Sequence, residues 1–413
     1  MHIKCTNGSP IVDTLNHLPP LPLFVSYHDR DTRLTEQDEF SIYHALRLHG
    51  RVRHIDFDLQ LSMLHKVIVL MNEHFPILEH LSLSFPSFLV TIKNHHPLTL
   101  PTAFLAPNLR HLALPSISPP RRLRVLTSTD SLVRLELSEI QTSSYFRPRL
   151  LVARLRSLPL LEELFIGFSI PIPRPSTEME LLGEQGTLVT LPSLKTLRFK
   201  GVGAYLESLV TQIRAPLLER LKVTFFNQIA FALPHLFRLI NTKGFELSST
   251  TVGFDRKEVY VNAADHGSER EPFRFRVVCR QLDWQIDCAT QICHALIPAL
   301  SDAEGLELYH KHGEITTELQ NGVIDSTTWH GLLRSFTGVK ELRIHDGLLE
   351  ELSRALQVDE VGSDPGFLPN LKSIYAKDNL FTSFIDTRKA VGRPVQFQNL
   401  YAAWYLTYLS AAT

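Results

Sequence analysis

The stretch Leu78-Glu79-His80-Leu81-Ser82-Leu83 contains the pattern on which the fold depends. An apolar residue is followed by two variable residues, a second apolar residue, one variable residue and a third apolar residue. The alternation in its second half is typical of a short strand that buries one face. Nine further segments share the pattern and span residues 52–57, 109–114, 132–137, 161–166, 194–199, 218–223, 303–308, 339–344 and 371–376. Such self-similarity predicts a fold built from stacked units.

The spacing of these copies predicts the architecture. From Ile55 to Leu221 the central apolar residue recurs at a mean interval of about 28 residues, at the upper edge of the leucine-rich-repeat range. Helical periodicity is found between the predicted strands. These helical segments cover residues 63–71, 205–213, 289–300, 329–336, 348–356 and 381–390. We therefore predict an α/β fold, an irregular leucine-rich-repeat solenoid whose curved parallel sheet carries helices on its outer side.

We predict a single domain over residues 1–398, because its breaks have the composition of exposed loops and not of linkers. Three such breaks lie at 171–175, 183–186 and 362–366. The register is least regular between residues 224 and 300. Strands are expected there at 251–254 and 273–278, with an additional strand at 259–261.

The last residues, 399–413, form an aromatic C-terminal tail. Tyr401, Trp404, Tyr405 and Tyr408 would share one face of a helix. A helix at this position would cap the final repeat, which otherwise exposes apolar edges. A helix that binds a partner is the alternative.

Composition excludes several classes of function. The formal net charge is −1, so no general attraction to nucleic acid or acidic membranes is expected. Four cysteines in 413 residues are too few for a disulfide scaffold. No apolar stretch typical of a signal peptide follows Met1, and no run of 18 apolar residues predicts a transmembrane helix. We expect an intracellular protein, cytoplasmic or nuclear, whose partners include neither nucleic acid nor membrane.

The repeat register predicts a surface that binds a protein partner. The residues between the buried apolar positions point to the concave side of the sheet, which solenoids use for binding. The candidates lie in two parallel rows, which also contain Ala113 and Thr196. The candidate residues are His54, Asp56, His80, Ser82, His111, Arg134, Glu136, Glu163, Phe165, Arg198, Arg220 and Lys222. Phe165, with Glu163 before it and basic residues after it, has the composition of an aromatic hot spot.

Two features of this region allow further hypotheses. His54, His80 and His111 would lie at strand spacing, roughly 5 Å apart, which suits a metal site or a pH switch unless unequal repeat lengths offset the rows. Eight arginines between Arg121 and Arg156 form a basic segment. Such a segment either binds phosphate or an acidic protein surface or is an ordinary solvated face. It contains only two aromatic residues, Tyr145 and Phe146, which disfavours nucleic acid.

The sequence contains no recognisable catalytic motif. Cys279, Cys288 and Cys293, with His294, are the one cluster of ligand-type residues, and their spacing does not match a zinc site. We expect buried structural thiols, because residues 288 and 293 would lie about 140° apart around a helix. The H-E-x-x-H, G-x-S-x-G, phosphate-loop and dinucleotide patterns are absent. We predict no enzyme and no catalytic, cofactor or metal residues; a hydrolase or other enzyme on this scaffold would require a pocket with converging His and carboxylate groups.

Several segments of the chain resemble the fungal F-box and leucine-rich-repeat proteins, which are numerous in mushroom-forming species. The segments are TLNHLPPLPLF (14–24), IYHALRLHG (42–50), HFPILEHLSLSF (74–85), FLAPNLRHLALP (104–115) and RPVQF (393–397). In that family an N-terminal F-box docks to the adaptor of a cullin-RING ubiquitin ligase, and the repeats are thought to hold the substrate. This sequence has no F-box, and residues 1–5 resemble the strand that follows one.

The leading hypothesis is therefore a non-enzymatic protein-recognition module. By resemblance it is the substrate-binding repeat region of an F-box protein, which contacts the ligase adaptor only if an F-box exists upstream. The alternative is a repeat-only structural or interaction protein with no ubiquitin link, such as the product of a truncated or decaying gene copy.

Overall fold

The alternating segments form strands in the computed structural model of the protein. Val52, Ile55 and Phe57 are fully buried, whereas the residues between them are exposed in part. The structure describes residues 2–4, 21–28, 34–85, 98–117, 126, 129–171, 186–226, 230–243, 247–265, 271–279, 281–311, 326–357 and 367–400. The chain divides into two compact units, Met1–Glu219 and Arg220–Thr413.

The first unit is built on a parallel sheet in which, over the described residues, the order of the strands in space follows the chain. Its strands are β1 (His2–Lys4), β2 (Leu23–His28), β3 (Val52–Asp58), β4 (His80–Ser84), β5 (His111–Ala113), β6 (Arg134–Ile140), β7 (Glu163–Phe168) and, after the short β8 (Val189–Thr190), β9 (Thr196–Gly201). The strand β8 pairs separately with β10 (Ile213–Arg214). The buried apolar positions of all these copies therefore lie side by side on one face.

Helices lie in several of the connections between the strands of the first unit. They are α1 (Glu36–Arg47), α2 (Leu61–Leu70), α3 (Pro148–Leu155) and α4 (Gly203–Thr211). The helix α1 begins with a capping box, because Thr35 Oγ1 accepts a hydrogen bond from Asp38 N–H at 3.2 Å and the Asp38 carboxylate accepts one from Thr35 N–H at 3.1 Å. In α2, Met63, Leu64 and Val67 are buried, as their spacing predicts.

The second unit has a different strand order. Its strands are β11 (Arg220–Phe226), β12 (Leu247–Asp255), β13 (Glu258–Asp265), β14 (Phe273–Val278), β15 (Gly305–His310), β16 (Glu341–Ile344), β17 (Ser373–Ala376) and β18 (Gln396–Asn399). Their order in space is β11-β14-β13-β12-β15-β16-β17-β18. Two residues connect β12 to β13, which is enough for an antiparallel hairpin but too few for a parallel crossover. The block β12–β14 thus runs in reverse order, although β14 is parallel to β11 and β12 to β15.

Helices also cover the second unit. They are α5 (Pro234–Thr242), α6 (Leu282–Ala295), α7 (Ile297–Leu300), α8 (Ser326–Leu333), α9 (Leu349–Leu356) and α10 (Thr382–Ala390). The prediction of one helix over 289–300 was wrong in its bounds, because α6 begins at Leu282 and ends before α7. The break lies at Leu296, where the backbone leaves the helical region two residues before Pro298, which has no N–H to donate.

The mixed α/β class and the mostly parallel sheets are confirmed, as is the additional strand at 259–261. The prediction of a wholly parallel sheet is wrong at β13, which is antiparallel to both of its neighbours. The leucine-rich-repeat solenoid and the single domain over 1–398 stay predictions. The aromatic residues of the tail lie outside the described residues, as do most of the predicted proline- and glycine-rich loops. None of the described helices combines the length and apolar character needed to cross a membrane.

Candidate functional site

The strands of the first unit align the predicted rows in register. In the first row, His54, His80, His111, Arg134, Glu163 and Thr196 are Cα partners from strand to strand. In the second row, Asp56, Ser82, Ala113, Glu136, Phe165 and Arg198 are partners in the same way. We call these two rows the first polar face. The unequal repeat lengths do not offset the rows, because the additional residues lie in the connections between strands.

The histidines of the first polar face form a stack. The ring centroids of His54 and His80 are 4.0 Å apart with planes inclined by 15°, and those of His80 and His111 are 5.4 Å apart. Phe24 on β2 continues the stack at 5.7 Å from His54. The stack thus follows from four aromatic rings that occupy one register position on adjacent parallel strands.

This stack does not have the geometry of a metal site. The rings of His54 and His80 are face to face, so their nitrogens lie side by side and not around a common centre, and the plane of the His111 ring is inclined by 49° to that of His80. In the described part of the chain, no three His, Cys, Asp or Glu side chains are grouped so that they could hold a metal ion. Burial lowers the pKa of His80 to about 4, with a further contribution from the neighbouring His54 and His111. Burial and Arg110 lower the pKa of His111. The centre of the stack is therefore uncharged near pH 7.

Charged side chains follow the stack along the first polar face. Arg134 lies 3.2 Å from Glu136 on its own strand and 3.5 Å from Glu163 on the next strand. Ser138 donates a hydrogen bond to Glu136 at 3.2 Å. At the other end of the face, Asp56 lies 3.4 Å from His28. These contacts hold the carboxylates in fixed positions on the surface, although each exposed pair adds little stability.

Phe165 occupies a defined position beyond these charges. Its strand neighbours are Glu136 and Arg198, and the Arg198 guanidinium lies over its ring at 4.7 Å from the centroid. A Cβ at Gly167, two residues along the same strand, would lie 3.2 Å from the ring. The absence of a side chain at Gly167 therefore leaves room for the ring to lie flat along the sheet, beneath the arginine. Arg198 is therefore a basic neighbour of Phe165 in the structure, and the role of Phe165 as a binding hot spot stays a prediction.

Arg220 and Lys222 belong to the second unit, at the start of β11. There Lys222 is the Cα partner of Arg274 and lies 3.8 Å from Glu271. Arg274 and Glu271 are also paired, at 2.5 Å. The sequence analysis places Lys222 in the row of Phe165 and Arg220 in the row of Glu163. The contacts of Lys222 described above lie within the second unit.

The second unit has a polar face of its own, which the sequence reasoning did not find beyond β11. Glu307 on β15 accepts hydrogen bonds from Thr251 at 3.3 Å and lies 2.7 Å from the ring of His345. The hydrogen bond with His345 lowers the pKa of Glu307. The ring centroid of Tyr309 lies 5.4 Å from that of Tyr260 and 5.7 Å from that of His345. The signal was present as alternating polar residues in β15 and β16, but the reversed block concealed which strands are neighbours.

The predicted burial of the cysteine cluster is confirmed, and its structural role stays a prediction. Cys279, Cys288 and Cys293 are free thiols and are buried. Burial raises the pKa of Cys293. A hydrogen bond between the two other thiols lowers the pKa of Cys279 and raises that of Cys288.

Within the predicted basic segment, Arg134 forms ion pairs with two carboxylates. The side chains of Arg121, Arg122 and Arg124 belong to residues outside the described part of the chain.

No protein-family model matches the chain, and no curated protein matches it either.

Proposed function

We propose that this protein is a non-enzymatic recognition module that binds a protein partner through the first polar face. In this proposal the sheet is the concave side of a leucine-rich-repeat solenoid. The single observation that carries it is the arrangement of Phe165, an aromatic side chain flanked in register by an acidic and a basic residue and fixed beneath Arg198. Aromatic and arginine side chains held in place before binding lose little entropy on association and dominate many interfaces.

The neighbouring charges support a protein partner over a small ligand. Arg134, Glu136 and Glu163 alternate in sign beside Phe165. Alternating charges around an apolar anchor are typical of the rim of a protein interface, where they select the partner and its orientation.

The proposed test replaces Phe165 and Arg198 by alanine in the same chain. We expect capture of the partner from lysates of the source cells to fall by about thirtyfold or more, as for hot-spot truncations. The free energy of unfolding should change by less than about 1 kcal/mol, because both side chains lie on the solvent side of the sheet. Phe40→Ala, at an exposed position of α1, and Arg156→Ala, at the exposed residue just after α3, are matched controls that should leave capture unchanged. Equal losses of stability and capture would make the pair structural and contradict the proposal.

The role as the substrate-binding region of a ubiquitin ligase is proposed from the resemblance alone. Tagging the endogenous protein at its C-terminus tests it through the intact mass and the proteins that co-purify. A mass above that of 413 residues plus the tag, together with bound ligase adaptor, would support an F-box in the full protein. The mass of 413 residues plus the tag, without adaptor, would support the alternative, a repeat-only interaction protein with no ubiquitin link.

A further inference from the structure

The polar face of the second unit contains a cleft. Ser249, Gly305, Glu341 and Ser373 are Cα partners on β12, β15, β16 and β17. Three of these four residues are small, so the face is depressed along this row. The resulting cleft has a volume of about 460 Å³ and is open to solvent. Long charged side chains from the adjacent positions, among them Lys340 and Lys372, form its walls.

Each carboxylate of the cleft already has a basic partner. Glu304 pairs with Lys340, Glu341 lies 3.4 Å from Arg343, and Glu307 lies 2.7 Å from His345. Lys372 is exposed, and over the described residues no ion pair is formed by its ammonium group. Lys372 is therefore the cationic side chain of the cleft that has no carboxylate partner among the described residues.

The remaining hydrogen-bonding capacity of the cleft lies in two hydroxyl groups. The side chains of Ser249 and Ser373 are partly exposed, and within the described part of the chain neither hydroxyl has a hydrogen-bond partner. The other hydroxyls of the cleft are engaged, because Ser248 donates to Ala264 O at 3.2 Å and Thr251 donates to Glu307. A ligand would therefore meet an ammonium group and two hydroxyls, all of which can donate hydrogen bonds to an anion.

We propose that this cleft binds an extended segment of a partner protein through one acidic side chain, whose carboxylate pairs with Lys372. A single carboxylate can pair with the unpartnered ammonium group of Lys372, whereas the nearby carboxylates of Glu304, Glu307 and Glu341 repel an anion with two charges. The small residues of the floor let the backbone of the segment approach the sheet closely. The open shape of the cleft suits a chain that passes along the sheet, in contrast to the enclosed shape of most small-molecule sites.

The experiment selects peptides from a random dodecapeptide display library with the purified chain as bait. Selected peptides are synthesised with a fluorescent label, and their affinities are measured by fluorescence polarisation. We expect enrichment of Asp or Glu at one position, and a loss of affinity of about tenfold for the variant Lys372→Glu. Gly305→Leu, which fills the floor, should also abolish binding. Lys389→Glu, an equally exposed lysine on α10, is the matched control and should bind like the unchanged chain.

A charge exchange separates binding from a folding defect. Replacing the enriched acidic residue by lysine should weaken binding to the unchanged chain and restore binding to Lys372→Glu. The proposal is overturned if the selected peptides lack an acidic position, if they bind Lys372→Glu as tightly as the unchanged chain, or if inorganic phosphate displaces them at low millimolar concentration. The result is independent of the function proposed for the first polar face, since the variant lacking Phe165 and Arg198 should bind the same peptides unchanged.

Discussion

The two units of this chain use the same kind of strand but connect the strands differently. In the first unit, strands that follow each other in sequence and share the main sheet are neighbours in space, and all their pairs are parallel over the described residues. In the second unit a reversed block, β12–β14, interrupts this order. The difference arises from connection length, because a two-residue turn permits only an antiparallel neighbour. Apolar spacing thus predicts where strands lie, whereas the connections decide which strands pair.

The largest effect on stability that tests this comparison comes from substitutions that create a cavity beneath the strands of each unit. Leu135 on β6 and Leu342 on β16 are both fully buried. We expect Leu135→Ala and Leu342→Ala each to lower the free energy of unfolding by about 3 kcal/mol, from lost apolar contact and the cavity that remains. Hydrogen exchange followed by mass spectrometry would show which strands lose protection.

The informative result is the location of that loss. We expect Leu135→Ala to increase exchange mainly in strands β1–β9 and Leu342→Ala mainly in β11–β18, because each residue packs within its own unit. Val69→Ala, at an exposed position of α2, is a control that should change neither. If either variant increased hydrogen exchange equally in both units, the two units would lose stability together, which would contradict the expectation.

The sequence was sufficient for the parts of the fold that depend on local periodicity. The strand pattern at residues 78–83 and its copies predicted the buried faces, and the register of the two rows follows from them. The helix α1 was missed because its apolar residues are few, although the capping box of Thr35 and Asp38 and the acidic first turn are both typical of a helix start. The approach of His54, His80 and His111 follows from that register, whereas the face-to-face stacking of His54 on His80 was not predicted. The cleft was missed because it depends on strand neighbours across the reversed block, which the spacing of one segment does not encode.

The reversed block itself is tested by the contact between Gly253 and Tyr260, which face each other across β12 and β13. A Cβ at Gly253 would lie 2.1 Å from the Tyr260 ring, so the ring covers the glycine backbone. We expect Gly253→Ala to destabilise the protein by about 2 kcal/mol through this overlap, measured by urea denaturation. In combination with Tyr260→Ala the further cost of Gly253→Ala should nearly disappear, because the overlapping ring is gone. Gly305→Ala, where the nearest atom would be 3.3 Å away, is the control with a smaller effect. An additive double variant would contradict the hairpin register.

The smallest effect distinguishes the two polar faces by their response to acid. The folded protein holds the pKa of His80 at about 4, below the ordinary value near 6.5 of the unfolded chain. Between these two values the unfolded state binds a proton that the folded state does not, so stability falls as the pH is lowered from 6.5 towards 4. In the second unit the lowered pKa of Glu307 has a different consequence. Its stabilisation is present above the ordinary pKa of glutamate and is lost only as the pH falls through the lowered folded value.

Acidification from pH 7 to pH 5 should therefore weaken the first unit and leave the Glu307 contribution of the second intact. We expect a loss of about 1 kcal/mol from His80, since partial exposure reduces the full value of the shift. The measurement is hydrogen exchange of β3–β5 against β15 and β16 at the two pH values. His80→Phe keeps a ring in the stack but cannot bind a proton, so it should remove most of the pH dependence in β3–β5. His65→Phe, at an exposed position of α2, should leave that dependence unchanged. Persistence of the full pH dependence in His80→Phe would assign the effect to other groups and show that His80 does not govern the acid response of the first unit.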